Sequence, residues 1–352
     1  MLDVDRRCAI SAEWRFRYDR EPDFFAWPRL MFERFAYVGA FIANQLVGYG
    51  MVATYPGIPT APDAAAAPVL YVGDGRVLPQ YRTVGIAHAL LAAGPSALEH
   101  IDGTDTYQGW TLVARQNTSA QRLVQHWSVP GFTISRAADV TAHTLVAGLP
   151  TLSHRASGTP VTVAGAEGVD NLADAHARIN GDRPFAPRLT AALLAEWMAE
   201  GALHGVLLAT RRQRVVGAAG LWDPNRARRL VIDAYPPALD AMRAGAERVL
   251  RVAGRPEPSW LQPGGTVPTL TLAPLASTTP AVLRALCIAA LHWARENGRL
   301  AVHVGLLDED PAAPGLTGLP RIQLHSTLQT MLRPGAEPAH PRQRPYVDLA
   351  RV

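Results

Sequence analysis

Val77-Leu78-Pro79-Gln80-Tyr81-Arg82-Thr83-Val84-Gly85-Ile86-Ala87-His88-Ala89-Leu90-Leu91 reads as a strand end, a glycine turn and a helix start in immediate succession. Upstream, Val69-Leu70-Tyr71-Val72 is an apolar, β-branched run suited to a buried strand, and Pro79 ends ladder donation beyond it. Downstream, Ile86, Ala89, Leu90, Ala93 and Ala97 recur at helical spacing. The Arg82 to Ala87 turn therefore sits where the first helical amides lack intrahelical partners. Orphan amides and the positive end of the helix dipole suit a pyrophosphate, and small residues at Gly85 and Ala87 let it approach the backbone.

An R-x-x-G-x-A hexapeptide alone also fits an ordinary strand-turn-helix junction, but its surroundings add to it. Ala36 to Ala43 and Leu46 to Tyr55 alternate around Asn44-Gln45 as a hairpin. After the turn come a second buried run, Trp110 to Ala114, then Asn117-Thr118-Ser119-Ala120, then Gly131-Phe132. This ordered set resembles the GCN5-related N-acetyltransferase (GNAT) family. The resemblance covers roughly residues 30 to 145 well and the remainder more loosely. A dinucleotide-binding reading of Gly73-Asp74-Gly75 fails, because no third glycine follows.

The resemblance implies an α/β (α+β) fold with a mixed central sheet flanked by helices, and acetyl-CoA or a longer acyl-CoA as co-substrate, without a metal. It places Val77, Arg82, Thr83, Val84, Gly85, Ile86 and Ala87 on the pyrophosphate and Asn117 beside the pantetheine arm. It places a catalytic carboxylate on the strand before the turn, where Asp74 stands. Glycines on both sides of Asp74 fit a bulge that opens the sheet to a ligand, and equally a turn with a solvated Asp. Where the family has its general-acid Tyr, this chain has Val124, so leaving-group protonation falls to His126, Tyr107 or water. Trp27, Tyr55, Trp110 and Trp127 are candidate pocket walls or core residues. The Pro56 to Pro68 loop is a candidate flap.

At 352 residues the chain suits two domains, and with 48% hydrophobic and 18% charged residues it can bury a large core. Cys8 and Cys287, the only cysteines, exclude a disulfide framework. No apolar run fits a signal peptide or a membrane span, which leads to an expected cytoplasmic location. All 34 basic residues are arginine, as high-G+C coding would give, and the net charge of +4 is too mild for a nucleic-acid partner. Arg211-Arg212-Arg214 and Arg226-Arg228-Arg229 flank a predicted strand and read as a solvated hairpin face, or a dock for an acidic carrier protein.

Ala147 to Pro160, rich in Gly, Pro and Ser, reads as a linker, and the pattern restarts after it. Val161-Thr162-Val163-Ala164, two helices, a hairpin over Gly205 to Trp222, Thr269 to Leu275, Pro280 to Asn297 and Leu300 to Leu306 repeat the first order. The expected organisation is two tandem GNAT-like domains, 1–146 and 161–333, joined by the 147–160 linker and followed by a Pro-rich tail, 334–352. The second copy has Ser277-Thr278-Thr279-Pro280-Ala281-Val282 in place of the glycine turn and is expected to be silent; Thr279-Pro280 reads as an N-cap with Pro at N1.

The expected activity is transfer of an acyl group, acetyl first among them, from acyl-CoA to a primary amine of a small molecule or peptide. The expected state is a monomeric pseudo-dimer or a homodimer, away from membranes. The alternatives are an acyltransferase using a carrier-protein thioester and a non-catalytic acyl-CoA-binding module. The tail Tyr346 to Val352 alternates, and is expected to pack along the N-terminal domain or add a strand to it.

Overall fold

Ala43 and Asn44 take left-handed conformations, φ 47° and 63°, which is the backbone of a tight hairpin turn. They join two strands of a sheet whose strand order, in a computed structural model, crosses the whole chain. Described are residues 1–8, 10–11, 15–58, 68–102, 108–125, 132–147, 158–235, 237–252, 262–332 and 344–352.

The first half runs α1 (Leu2–Arg7), β1 (Ile10–Ser11), β2 (Arg15–Asp19), α2 (Ala26–Met31), β3 (Arg34–Ile42), β4 (Gln45–Pro56), β5 (Pro68–Val77), α3 (Ile86–Asp102), β6 (Gln108–Ala114), α4 (Thr118–Gln125) and β7 (Thr133–Val146). The second runs β8 (Val161–Ala164), α5 (Val169–Asn180), α6 (Ala191–Ala199), β9 (Leu203–Arg211), β10 (Arg214–Trp222), β11 (Arg229–Ala234), α7 (Pro237–Val252), β12 (Thr269–Ala276), α8 (Pro280–Glu296), β13 (Ala301–Leu307) and β14 (Arg321–Leu332). Short 3-10 turns lie between them, including Ala313–Leu316 and Leu349–Arg351.

Eleven strands form one mixed sheet in the order β3-β4-β5-β6-β14-β7-β13-β12-β10-β9-β8. It carries parallel pairs at β5/β6 and β12/β13, with antiparallel pairs elsewhere. β14, late in the sequence, fills the space between β6 and β7. β7 in turn pairs with β13. Each half thus contributes a strand beside the other's parallel pair, and neither half closes its sheet alone.

Helices cover the sheet, and its main hydrophobic cluster takes Trp27 and Trp110 from the first half with Trp197 and Trp222 from the second. The Trp197 indole donates to the Leu30 carbonyl (3.0 Å), a hydrogen bond between the halves. Truncating such a buried aromatic to Ala costs about 3–5 kcal/mol, so the shared core joins the halves energetically.

A second sheet, β1-β2-β11, joins the halves again. Its first-half strands fall within the stretch that lacks a clear alternating run, and β2 finds its partner more than two hundred residues away. Among the described residues no helix is long and apolar enough to cross a membrane. Most of the 147–160 linker, the middle of the Pro56 to Pro68 loop and the start of the Pro-rich tail lie outside the described residues.

Candidate functional site

β5 and β6 pair in parallel over only Val69–Tyr71 against Gln108–Trp110, and both strands run on. Beyond Tyr71 a cleft of about 1080 Å³ opens between them, lined by β5, β6 and the starts of α3 and α4. That volume lies at or above the upper end of ordinary ligand pockets. Thr83 and Gly85 take φ of 74° and 88°, and Ala89 N–H donates to the Gly85 carbonyl as α3 begins. The amides of Ile86, Ala87 and His88 precede that first helical bond.

Nothing approaches within 4 Å of the place a Gly85 Cβ would occupy, and Gly85 is among the residues that line the cleft. The turn from Arg82 to Ala87 lines the cleft with the exception of Val84, whose side chain is exposed. Val77 also lines it, and its carbonyl accepts from Arg82 Nε at 3.1 Å and from the Cys8 thiol at 3.4 Å. Asn117 lines the opposite wall and caps α4, its Oδ1 accepting from Ala120 N–H at 3.1 Å. The residues expected on a pyrophosphate and a pantetheine arm are therefore brought to one cleft, apart from the outward Val84. The chemistry suits a long ligand with a diphosphate: loose amides, the positive helix end, and Arg82 and Arg122 on the walls.

Asp74 lies in a β5 bulge opposite Gly50, with φ 54°. Its carboxylate is buried, as the bulge reading requires and a solvated turn would not permit. Arg20 grips it with two hydrogen bonds, Nη1 to Oδ2 at 2.5 Å and Nη2 to Oδ1 at 2.6 Å, and Tyr37 O–H donates to Oδ2 at 2.9 Å. Around this pair, Asp5 lies 3.6 Å from Arg20 and 3.5 Å from Arg76, and accepts from Tyr49 O–H at 3.0 Å. Burial alone would raise the Asp74 carboxyl; the Arg20 charge and hydrogen bonds, with Arg76 and Tyr37, outweigh it and hold it below the usual carboxylate range. Asp5 moves the other way, because burial dominates over Arg20 and Arg76.

Arg20, Tyr37 and Arg76 are the site residues that sequence reading missed; no local period marks them, since each acts through a partner on another element. The second arginine group is also corrected. Arg228 is buried between Tyr18 and Trp27, its guanidinium 4.6 and 4.3 Å from their rings, and donates to the Val352 carbonyl. Arg229 pairs with Asp19 at 2.6 Å, and Arg226 bonds the Glu200 carbonyl. Of the two groups, Arg211, Arg212 and Arg214 remain on an exposed hairpin tip.

Trp27 lines the cleft, whereas Tyr55 and Trp110 are core, with the Trp110 indole donating to the Tyr55 hydroxyl at 2.7 Å and that hydroxyl to the Phe185 carbonyl at 2.9 Å. Val124 faces the cleft where the family hydroxyl is expected. Tyr107, His126, Trp127 and Gly131 lie outside the described residues. Among the described residues no three His, Cys, Asp or Glu are grouped to hold a metal ion.

No family model and no curated protein matches the sequence. Solved structures do. A GCN5-related N-acetyltransferase from Sphaerobacter thermophilus has a TM-score of 0.48 at 13% identity, over 88% of this chain and 81% of its own. One from Kribbella flavida gives 0.42 at 14%, over 84% and 59%, and one from Anabaena variabilis 0.43 at 9%, over 84% and 62%. The chain thus spans about three fifths of the length of the latter two. The mixed sheet flanked by helices, the splayed parallel strands, the bulge beside them and the glycine turn at the mouth are this chain's own features.

Proposed function

We propose that the chain is an N-acyltransferase that binds acyl-CoA in the β5/β6 cleft and passes the acyl group to a primary amine of a small molecule or peptide. The observation that carries this is the Arg82–Ala87 turn, with its left-handed Gly85, at the mouth of a cleft between diverging strands. When bound, acyl-CoA supplies the thioester. The chain's part would be largely positioning: the Arg82–Ala87 turn would hold the diphosphate, and backbone amides on the bulged strand would be available to polarise the thioester.

The environment of Asp74 changes its expected role. A carboxylate held low, with both oxygens engaged by Arg20, accepts a proton from an ammonium poorly. We assign it instead to positioning: it fixes Arg20 and Tyr37 and keeps the bulge open. The amine then enters neutral or loses its proton to water. Release of free thiol from acetyl-CoA and longer acyl-CoAs with a panel of primary amines tests the activity. Turnover is the expected result; binding without turnover would leave an acyl-CoA-binding module, and turnover of carrier-protein thioesters alone would move the donor to that class.

A further inference from the structure

The second half has a splayed parallel pair of its own. β12 and β13 pair over Thr269–Thr271 against Ala301–His303, and β12 then bulges opposite Gly220, as β5 bulges opposite Gly50. Leu275 follows that bulge opposite Ala219, as Arg76 follows the β5 bulge opposite Tyr49. With no β13 neighbour there, the Leu275 carbonyl accepts from Asn180 Nδ2 at 3.0 Å, and its N–H donates to the Tyr346 hydroxyl at 3.1 Å.

We infer that the segment Arg344–Val352 permanently occupies this second cleft, with the Tyr346 hydroxyl on the β12 amide that β13 leaves free, and that this anchor sets one wall of the first cleft. The insertion is tight. Tyr346 N–H donates to the Pro184 carbonyl at 2.8 Å, Arg183 donates to the Pro345 carbonyl at 3.1 Å, and a Cβ on Gly305 of β13 would meet Leu349 at 2.4 Å. Only about 20 Å³ of cavity remains there. The neighbouring helix start is closed as well: Pro280 has no amide to offer, and a Cβ on Gly315 would meet its carbonyl at 2.2 Å.

From that anchor the chain passes directly to the first site. The Trp27 indole donates to the Ala350 carbonyl at 2.8 Å, Arg351 stacks on Tyr55 at 4.5 Å, and Val352 lines the first cleft beside Arg228. Tyr346 is thus a positioning residue, and only its effect on catalysis rests on the function proposed above.

Hydrogen exchange of the Leu275 amide, followed in the full chain, tests the anchor without any ligand. Tyr346→Phe keeps the ring and removes the acceptor, so exchange should quicken about tenfold or more; an unchanged rate overturns the anchor. For the coupling, Tyr346→Ala should raise the amine KM while acyl-CoA affinity stays within about twofold, and Tyr346→Phe should lie closer to wild type. Quickened exchange with an unchanged amine KM overturns the coupling. If no amine is turned over at all, the function fails and the exchange result still decides the anchor.

Discussion

The Arg20 guanidinium and the Asp74 carboxylate meet in a buried two-point contact, 2.5 and 2.6 Å, between the loop after β2 and the β5 bulge. Removing one charge from such a pair strands the other, typically at about 3–5 kcal/mol. Asp74→Asn should therefore lower the thermal midpoint by several degrees and disturb the β5 bulge beside the cleft. Calorimetric melting beside a pH–rate profile checks this. A variant that melts like wild type yet loses kcat would return Asp74 to the role of base.

Gly85 has φ 88° with open space above its Cα. A β-branched side chain there strains the backbone and fills the side offered to phosphate. Gly85→Val should weaken CoA binding at least about tenfold, roughly 1.4 kcal/mol, while leaving the second half intact. Unchanged affinity would remove the turn from the binding site.

His143 and His303, on the adjacent strands β7 and β13, are held down to about 4, by burial first and then by Arg321 and Arg228 respectively. His176 falls to about 3, again through burial. Their unfolded forms protonate near pH 6.5, so between there and about pH 4 the unfolded chain binds more protons and stability falls as pH drops. The melting midpoint should decline across that window, and His143→Gln with His303→Gln should flatten the decline. An equal slope in the double variant would assign it to other groups.

Local signals explain what was legible in the sequence. The Asn44 hairpin, the Gly85 turn and α5 over Val169–Asn180 declare themselves by period and turn chemistry within a few residues. The Thr279 cap is likewise local, its hydroxyl accepting from Val282 N–H. β14 between β6 and β7, or β2 against β11, depends on pairing across about two hundred residues, where edge and centre positions look alike. Arg228 was misplaced for the same reason: three arginines in a short stretch read as a wet face until Tyr18 and Trp27 enclose one of them. The tail was correctly expected to reach the N-terminal half, but it does so as an extended segment and a 3-10 turn, not as a strand.

Acyl-CoA binding stoichiometry tests the central claim most directly. A calorimetric titration of the full chain with CoA or acetyl-CoA should give one site per chain, lost or strongly weakened in Gly85→Val and retained when Ser277 or Thr278 of the second half is replaced. Two equivalent sites, or a single site indifferent to Gly85, would contradict the assignment of the β5/β6 cleft.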